Sequence, residues 1–360
     1  MQVRHGPAAV RGEAPPPNAT GLAAGKVVGE GAPSQKTCRF AFDPVPLAEG
    51  GNVLRRAFVT VLFALLLAGC GGADEPRSAA PTVPAAPAFP VTVQASDGTV
   101  TIAKRPVRIV SLSASATESL FAIGAGDQVV AVDDQSNYPV DAPRTKLSGY
   151  TPNLEAIAGY RPDLVVAAFD PGELVRGLRR LEIPVLLQAA PVDLEGAYGQ
   201  IEALGVATGN EARADAVVAS MRRRISQLTA SVSPTGPTSV YHELGPDYFS
   251  ATSKTFIGSI YELLGLENIA DGATGQAPDY PQLSGEYILD ADPDLIVLSD
   301  TKCCGQTPEK VANRPGWDGI TAVRTGNVVP VDDDIASRWG PRTVAFVEIV
   351  AQAVSEARAA

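Results

Sequence analysis

Histidine is nearly absent from this sequence. Only His5 and His242 occur among its 360 residues, whereas the common catalytic zinc sites use two or three histidine ligands. Metal-ion receptors with histidine-rich sites and zinc hydrolases are therefore disfavoured.

Two further catalytic signatures are missing. There is no Gly-x-Ser-x-Gly elbow for a serine hydrolase, which would have to use His242 as its base. The segment Gly124-Ala125-Gly126 lacks the third glycine and the preceding strand of a dinucleotide fingerprint. Basic residues are also in deficit, with 29 Lys and Arg against 40 Asp and Glu. This balance argues against nucleic-acid binding, which needs clustered positive charge.

The apolar run near the N-terminus is too short to span a membrane. It lies within residues 54–70, after two arginines and before small residues and a cysteine, which is the order of a secretory signal. Its end, Leu67-Ala68-Gly69-Cys70, resembles the lipobox of bacterial lipoproteins, in which the cysteine is acylated after cleavage. We therefore expect Cys70 to be the lipidated N-terminus of the mature protein.

The segments on either side of this signal look unstructured. Residues 1–52 are rich in Gly, Pro and Ala without periodicity, so we predict a non-native extension with Val53 as the initiator. The alternative is a real N-terminal extension with an internal membrane anchor. Residues 70–95 are rich in Pro and Ala, which is typical of a disordered tether. The protein would then sit outside the cytoplasm, anchored to the cell membrane by lipid without spanning it.

Two distant segments repeat one pattern. Residues 153–166 read NLEAIAGYRPDLVV and residues 284–297 read SGEYILDADPDLIV, with the same interval from the glutamate to Pro-Asp-Leu. In each, a short helix should begin near Glu155 or Glu286, end before the proline, and lead into a buried parallel strand. The helix dipole explains one such glutamate. Its repetition indicates two lobes of like design.

Alternating strand and helix signals predict an α/β fold of two Rossmann-like lobes joined by a helix, after an edge hairpin at 91–102. Ligands of such sheets bind beyond the carboxyl ends of the strands, so we expect a ligand cleft between the lobes. The predicted segments are the extension (1–52), a lipoprotein signal peptide (53–69), the lipidated tether (70–95), the N-terminal lobe (96–209), the linking helix (210–232) and the C-terminal lobe (233–360).

Four motifs together resemble the substrate-binding proteins of vitamin B12 and iron-siderophore ABC importers, with the vitamin B12-binding members nearest. They are Asn153-Leu154-Glu155 with Arg161-Pro162-Asp163, Asn137-Tyr138-Pro139, Tyr280-Pro281-Gln282-Leu283-Ser284-Gly285-Glu286 and Ser337-Arg338-Trp339-Gly340-Pro341-Arg342. The resemblance implies the helical-backbone type of this fold, with one long rigid helix between the lobes and little hinge motion. It also implies that Glu155 and Glu286, one on each lobe, dock on arginines of the permease dimer.

The resemblance also implies ligand contacts. Tyr138 matches a ligand-contacting tyrosine, Tyr280 stands where a ligand-stacking tryptophan stands, and Asp334 matches an aspartate at the cleft. Gly149 falls where the vitamin B12-binding members have another tryptophan, with Tyr150 beside it. We therefore expect a rearranged aromatic cage.

Aromatic residues in loops after strands suit stacking on a large planar ligand, and Arg338 could meet a ligand anion. The complete set of expected cleft residues is Tyr138, Tyr150, Phe169, Tyr241, Tyr248, Tyr280, Asp334, Arg338 and Trp339. His242, at a strand end facing the cleft, could be an axial ligand of a haem or corrin metal. The alternative is a structural hydrogen-bonding role.

Cys303 and Cys304 are adjacent in a chain expected to be exported. In an oxidising compartment they could form a vicinal disulfide that stiffens the surrounding loop. The alternative is a pair of free thiols.

The sequence thus predicts a lipid-anchored, monomeric solute-binding subunit of an ABC importer, with no enzymatic activity, no cofactor and no nucleic-acid partner. The expected ligand is a corrinoid first and a ferric siderophore or haem next, and the expected partner is a permease dimer with its ATPase. Two other classes stay open. One is a secreted α/β hydrolase-type enzyme, and the other is a cell-surface interaction module with an empty cleft.

Overall fold

A computed structural model describes residues 88–232, 238–273 and 277–357 of the chain. The predicted leader, the lipidation site Cys70 and most of the predicted tether lie outside these described residues. Within the described segments, no helix combines the length and apolar character needed to cross a membrane.

An antiparallel hairpin opens the described chain. Its strands are β1 (Val91–Ala95) and β2 (Gly98–Ile102), which confirms the hairpin predicted from alternating apolar residues. The predicted tether ended at residue 95, so its last five residues belong to β1 instead. Val93 and Ala95 are buried, and this burial holds the strand against the body of the protein.

The N-terminal lobe contains, in its described part, a four-stranded parallel sheet in the order β4-β3-β5-β6. All four strands are almost wholly apolar, as expected for a sheet covered on both faces. The elements are β3 (Ile109–Leu112), α1 (Ala114–Ala122), β4 (Val129–Val132), α2 (Leu154–Gly159), β5 (Leu164–Ala167), α3 (Leu174–Arg180) and β6 (Val185–Leu187).

Two helices follow and lead into the second lobe. They are α4 (Leu194–Thr208) and α5 (Glu211–Ser231), separated by Gly209 at φ 70°, a left-handed conformation that favours glycine at a helix end. Helix α5 packs against α4 and against the C-terminal helix α11 (Thr343–Ala357). Helix α5, at 21 residues, is the long helix that the sequence predicted between the lobes.

The C-terminal lobe repeats the architecture of the first, with a parallel sheet in the order β10-β9-β7-β8. Its described elements are β7 (Thr238–Glu243), α6 (Phe256–Leu263), β8 (Leu266–Asn268), α7 (Gly285–Ala291), β9 (Leu295–Leu298), α8 (Pro308–Ala312), α9 (Thr321–Arg324), β10 (Val328–Pro330) and α10 (Asp333–Ser337). One cluster of buried apolar residues runs through both lobes, from Ile109 in β3 to Leu295 in β9. The lobes therefore share a core.

The repeated Pro-Asp-Leu segments start β5 and β9 in the same way. Asp163 accepts hydrogen bonds from the backbone N–H groups of Val107 and Arg108, at 3.0 and 2.8 Å. Asp294 accepts one from the backbone N–H of Ser239, at 2.8 Å. The aspartate of each repeat thus fixes its strand beside the central strand of the same lobe, which is a structural reason for the repetition.

Candidate functional site

A cavity of about 180 Å³ lies between the two lobes. Its N-terminal wall includes Ser113 directly after β3, Asp133 directly after β4 and Phe169 two residues after β5. Its C-terminal wall comes from α10 and the residues after it, including Asp334 and Trp339. The carboxyl ends of parallel strands therefore converge on this cavity, as they do at ligand sites of α/β sheets.

Tyr150 and Phe169 form an aromatic pair at the cavity wall. Their rings stack with centroids 5.4 Å apart, and the two residues are 64% and 44% exposed. Uncovered aromatic surface at a cleft is typical of a binding site. A Cβ added at Gly149 would lie 2.8 Å from the carbonyl oxygen of Leu112, so position 149 has no room for a side chain. Tyr150 is the aromatic residue available there.

Arg338 connects the two lobes at the cavity wall. Its Nη1 donates to Oε1 of Glu118 and to Oδ1 of Asn137, both at 2.9 Å. Its Nη2 donates to the backbone oxygen of Gln135 at 2.8 Å and to Oδ1 of Asp334 at 2.6 Å. The N–H groups of both terminal nitrogens are thus engaged by protein acceptors. This corrects the expectation that Arg338 is free to meet a ligand anion.

Glu118 is the buried centre of this connection between the lobes. It is 3% exposed and accepts hydrogen bonds from Nε and Nη2 of Arg342, at 2.9 and 2.6 Å, as well as from Arg338. Asp334 extends the network. Burial disfavours its ionisation, but the hydrogen bond from Lys302 and the charge of Arg338 lower the pKa of Asp334 overall. The result is an ion-pair network that crosses from one lobe to the other.

Besides the buried Tyr241, three predicted tyrosines lie outside the wall of the cavity. Tyr138 is 47% exposed, and the guanidinium carbon of Arg342 lies 4.4 Å from its ring centroid. Tyr280 is 44% exposed. Tyr248 is half-buried and stacks on Trp317, with centroids 5.7 Å apart. Tyr138 and Tyr280 are therefore accessible, whereas Tyr248 packs within the C-terminal lobe.

Tyr241 and His242 are wrong as ligand contacts, because both side chains are fully buried. Tyr241 packs edge-on against Trp317. Nδ1 of His242 lies 2.5 Å from the hydroxyl of Tyr261, and Nε2 lies 3.0 Å from Oγ of Ser299, so neither nitrogen is free for a metal. Burial lowers the pKa of His242 to about 3 and keeps it neutral. Its role is the structural hydrogen bonding given as the alternative.

Glu155 and Glu286 are both exposed in the first turn of their helices, α2 and α7. Asn153 and Ser284 cap the two helices by accepting hydrogen bonds from backbone N–H groups, at 2.8 and 3.1 Å. Each helix leads within a few residues into the amino end of its strand, so its own first turn lies toward the carboxyl edge of the sheet. The two glutamates therefore occupy equivalent positions on the side of each lobe where the cavity lies.

Cys303 and Cys304 are free, exposed thiols in the structure, which agrees with the alternative of two unpaired cysteines. Their loop is anchored to α10 through Asp333. The backbone N–H groups of Lys302 and Cys303 donate to the two oxygens of this carboxylate, at 2.9 and 2.8 Å.

Asp133 was missed by the sequence reasoning. It is 5% exposed and lines the cavity directly after β4. Burial raises the pKa of Asp133, and a hydrogen bond from Ser136 opposes this shift. A carboxylate directly after a buried strand was the signal that could have identified it.

A second missed group, Asp300, follows β9 and is fully buried. Neither of its carboxylate oxygens has a hydrogen-bond partner among the described residues. Burial, together with the charge of Glu243, raises the pKa of Asp300 to about 7. Glu243 itself is held by Arg314 through two hydrogen bonds of 2.6 Å. Asp300 is thus a buried acid that gains a proton near neutral pH.

We expect the free energy of unfolding of Asp300→Asn to fall less than that of wild type as the pH rises. Between its ordinary pKa of 3.8 and about 7, the folded state binds more protons than the unfolded state, so this group destabilises the fold as pH rises. His242 has the opposite effect on stability below pH 6.5, because its pKa is lowered in the folded state. Its contribution is the same in both proteins, so it cancels in the difference between variant and wild type. Urea unfolding measures the free energy of unfolding of both proteins. The difference, variant minus wild type, should increase by on the order of 3 kcal/mol from pH 4 to 8.

Asp290→Asn is the matched control, because Asp290 is an exposed acid in α7. Its stability difference from wild type should stay within about 0.5 kcal/mol at every pH. Parallel pH profiles for Asp300→Asn and wild type would contradict the assignment of the buried proton.

Known proteins are similar to this chain in sequence and in fold. The profile of a family described as periplasmic binding proteins matches residues 109–335. The chain is 33% identical over 306 residues to the uncharacterized ABC transporter substrate-binding lipoprotein YvrC of Bacillus subtilis, covering 82% of this chain and 94% of that one. It is 35% identical over 298 residues to a cobalamin-binding protein of Halobacterium salinarum, covering 79% and 80% of the two chains.

A solved structure agrees with these sequence relatives. The periplasmic vitamin B12 binding protein BtuF of Vibrio cholerae matches with a TM-score of 0.60 and 27% identity, covering 70% of this chain and 98% of that one. The fold and the sequence agree on one assignment. This chain belongs to the periplasmic binding protein family, whose members are substrate-binding components of transport systems and not enzymes.

Proposed function

We propose that this chain is the solute-binding subunit of an ABC importer and captures a large metal chelate between its two lobes. The observation that carries the proposal is the uncovered aromatic pair of Tyr150 and Phe169 at the wall of the interlobe cavity. The relatives named for transport and for cobalamin binding support it. Because the family consists of transport components, the hydrolase alternative is not retained.

A corrinoid is the ligand that fits these features best. The cavity of about 180 Å³ is smaller than the 300–1,000 Å³ typical of a pocket for a drug-sized ligand, so a macrocycle must lie mainly at its mouth. Tyr150 and Phe169 line the cavity and are 64% and 44% exposed. Tyr138 and Tyr280, at 47% and 44% exposed, are further candidate contacts in this proposal. Aromatic faces at a mouth suit a broad, largely apolar ring. A ferric siderophore or haem is the second choice.

Tryptophan fluorescence can test this proposal, because Trp339 lines the cavity and Trp317 is buried within the C-terminal lobe. We expect cyanocobalamin to quench the fluorescence of the wild-type protein saturably. Ferrioxamine and haemin should quench it more weakly. Lack of a saturable response to any chelate would contradict the proposal.

We expect Tyr150→Ala to weaken cyanocobalamin binding about tenfold or more. The variant removes a stacking face that is 64% exposed in the free protein, and aromatic pairs contribute about 0.5–1.5 kcal/mol beyond their buried area. Isothermal titration provides the dissociation constant. Leu181→Ala is the control, since Leu181 is a 50% exposed apolar residue that does not line the cavity. Equal weakening by both variants would exclude a specific role for Tyr150.

We also propose that a permease dimer with its ATPase holds the two lobes through Glu155 and Glu286. Their equivalent positions support this role, because a pseudo-symmetric pair of carboxylates suits a two-fold symmetric partner. Each would form ion pairs with arginines of one permease subunit. A monomeric binding protein is sufficient for such a complex.

The third proposal concerns location. Acylation of Cys70 would anchor the protein to the outer face of the cell membrane, with the Pro- and Ala-rich segment as a tether. The relative YvrC is described as a lipoprotein, which supports this arrangement. Metabolic labelling with a fatty acid, compared between wild type and Cys70→Ala, tests it directly, and label in both proteins would contradict it.

A further inference from the structure

The interlobe cavity is lined by the buried carboxylate of Asp133, whose hydrogen bonds within the protein come from Ser136. Asp133 is only 5% exposed and lines the cavity. Its Oδ1 accepts a hydrogen bond from Oγ of Ser136 at 2.5 Å. The backbone N–H of Ser136 also interacts with this carboxylate, and no side-chain donor of the described residues hydrogen-bonds to its Oδ2.

The position of Oδ2 is fixed by the surrounding backbone. A Cβ added at Gly149 would lie 2.9 Å from this oxygen, so Asp133 is packed directly against a residue that has no side chain. Ser136 in turn shares a buried hydrogen bond of 2.8 Å with Thr117 in α1. The carboxylate is therefore held in one orientation, which suits a binding group.

The opposite wall does not supply a donor for this oxygen. The terminal nitrogens of Arg338 already donate to Glu118, Asn137, Gln135 and Asp334. The cavity therefore offers a buried acceptor and no free guanidinium N–H from the terminal nitrogens. Such a site favours a ligand group that donates hydrogen bonds and disfavours a second anion, because an unpaired buried charge is costly.

We propose that Asp133 selects a hydrogen-bond-donating branch of the ligand, a primary carboxamide, which enters the cavity while the ring stays at the mouth. This inference rests on the proposed function and names the part of the chelate that the cavity recognises. A corrin ring carries carboxamide side chains, whereas a porphyrin carries carboxylates. Asp133 would therefore separate corrinoids from haem by the charge of their side chains.

The test compares Asp133→Asn with the control Asp134→Asn in titrations with cyanocobalamin and haemin. Asp134 is the adjacent, exposed aspartate, so the two variants lose the same charge. A hydrogen bond to a charged group contributes about 1.5–3 kcal/mol, so Asp133→Asn should weaken cyanocobalamin binding by about ten- to hundred-fold. Haemin binding should tighten, because the new amide donates to a carboxylate. Asp134→Asn should leave both dissociation constants unchanged.

A second arm needs no protein variant, so it is independent of folding. Mild hydrolysis converts single carboxamides of cyanocobalamin into carboxylates. At least one purified monocarboxylate isomer should bind wild type about tenfold more weakly, and Asp133→Asn should abolish that difference.

The outcomes separate this inference from the proposed function. Equal cyanocobalamin binding by wild type and Asp133→Asn, with all monocarboxylates bound like the parent, would overturn the carboxamide subsite and leave the corrinoid proposal intact. Preference of wild type for haemin over cyanocobalamin would overturn both. Thermal unfolding of each variant confirms that the compared proteins are folded.

Discussion

Reversing both Glu155 and Glu286 to arginine is expected to abolish uptake of the ligand while its dissociation constant stays at the wild-type value. The two carboxylates are exposed on equivalent helices, one on each lobe, and neither lines the interlobe cavity. If each one docks on permease arginines, each reversal places a positive charge against positive charges at the interface, which costs several kcal/mol. Uptake of radiolabelled cyanocobalamin by cells, with titration of the purified variants, provides both quantities.

Glu202→Arg with Glu262→Arg is the matched control. Both are exposed acidic residues on helices, in α4 and α6, and the reversal changes net charge by the same amount. The control should retain at least half of wild-type uptake. Loss of uptake in both double variants would show a general charge effect and contradict docking through Glu155 and Glu286.

Removing the Glu118 carboxylate is expected to produce the largest loss of stability among single substitutions in the interlobe region. Glu118→Ala leaves Arg338, which is 7% exposed, without its buried partner and deprives Arg342 of two hydrogen bonds. Breaking a buried ion pair by removing one partner costs about 3–5 kcal/mol. Urea unfolding at neutral pH measures this loss directly.

An exposed ion pair provides the comparison. Glu195 pairs with Arg222, and both side chains are largely open to solvent, so Glu195→Ala should cost less than about 1 kcal/mol. If Glu118→Ala costs no more than Glu195→Ala, the network does not join the lobes in the way described.

The repeated glutamate and Pro-Asp-Leu segments show how much of the fold the sequence contains. Their spacing predicts a helix followed by a buried strand twice, and the structure has α2 with β5 and α7 with β9 at these places. Local sequence signals were sufficient to predict each helix and strand, because each repeated segment is short. A capping residue starts the helix, a proline ends it, and an apolar run forms the strand.

Tyr241 and His242 show why part of the site could not be predicted. Both lie in β7, which is hydrogen-bonded to β9 on one side and β8 on the other. A strand that is covered on both faces buries successive residues. Its sequence therefore lacks the alternation of apolar and polar residues that would indicate which side chain reaches the cleft. The burial of either residue depends on elements far away in the sequence.

The network around Glu118 has a similar origin. Arg338 follows Glu118 by 220 residues, and no local pattern connects them. The same holds for Gly149, whose lack of a side chain is required by the close approach of Leu112 and Asp133. Sequence comparison could indicate only that an aromatic residue was missing there, whereas the packing explains why.

The position of the metal in a complex with cyanocobalamin tests the central claim most directly. Crystals of the protein grown with this ligand would give an anomalous cobalt signal that locates the chelate without bias. We expect a single cobalt between the lobes, with the corrin ring against Tyr150 and Phe169 and one carboxamide at the carboxylate of Asp133. Cobalt located elsewhere on the surface, or a cleft that stays free of cobalt when ligand is in excess, would contradict it.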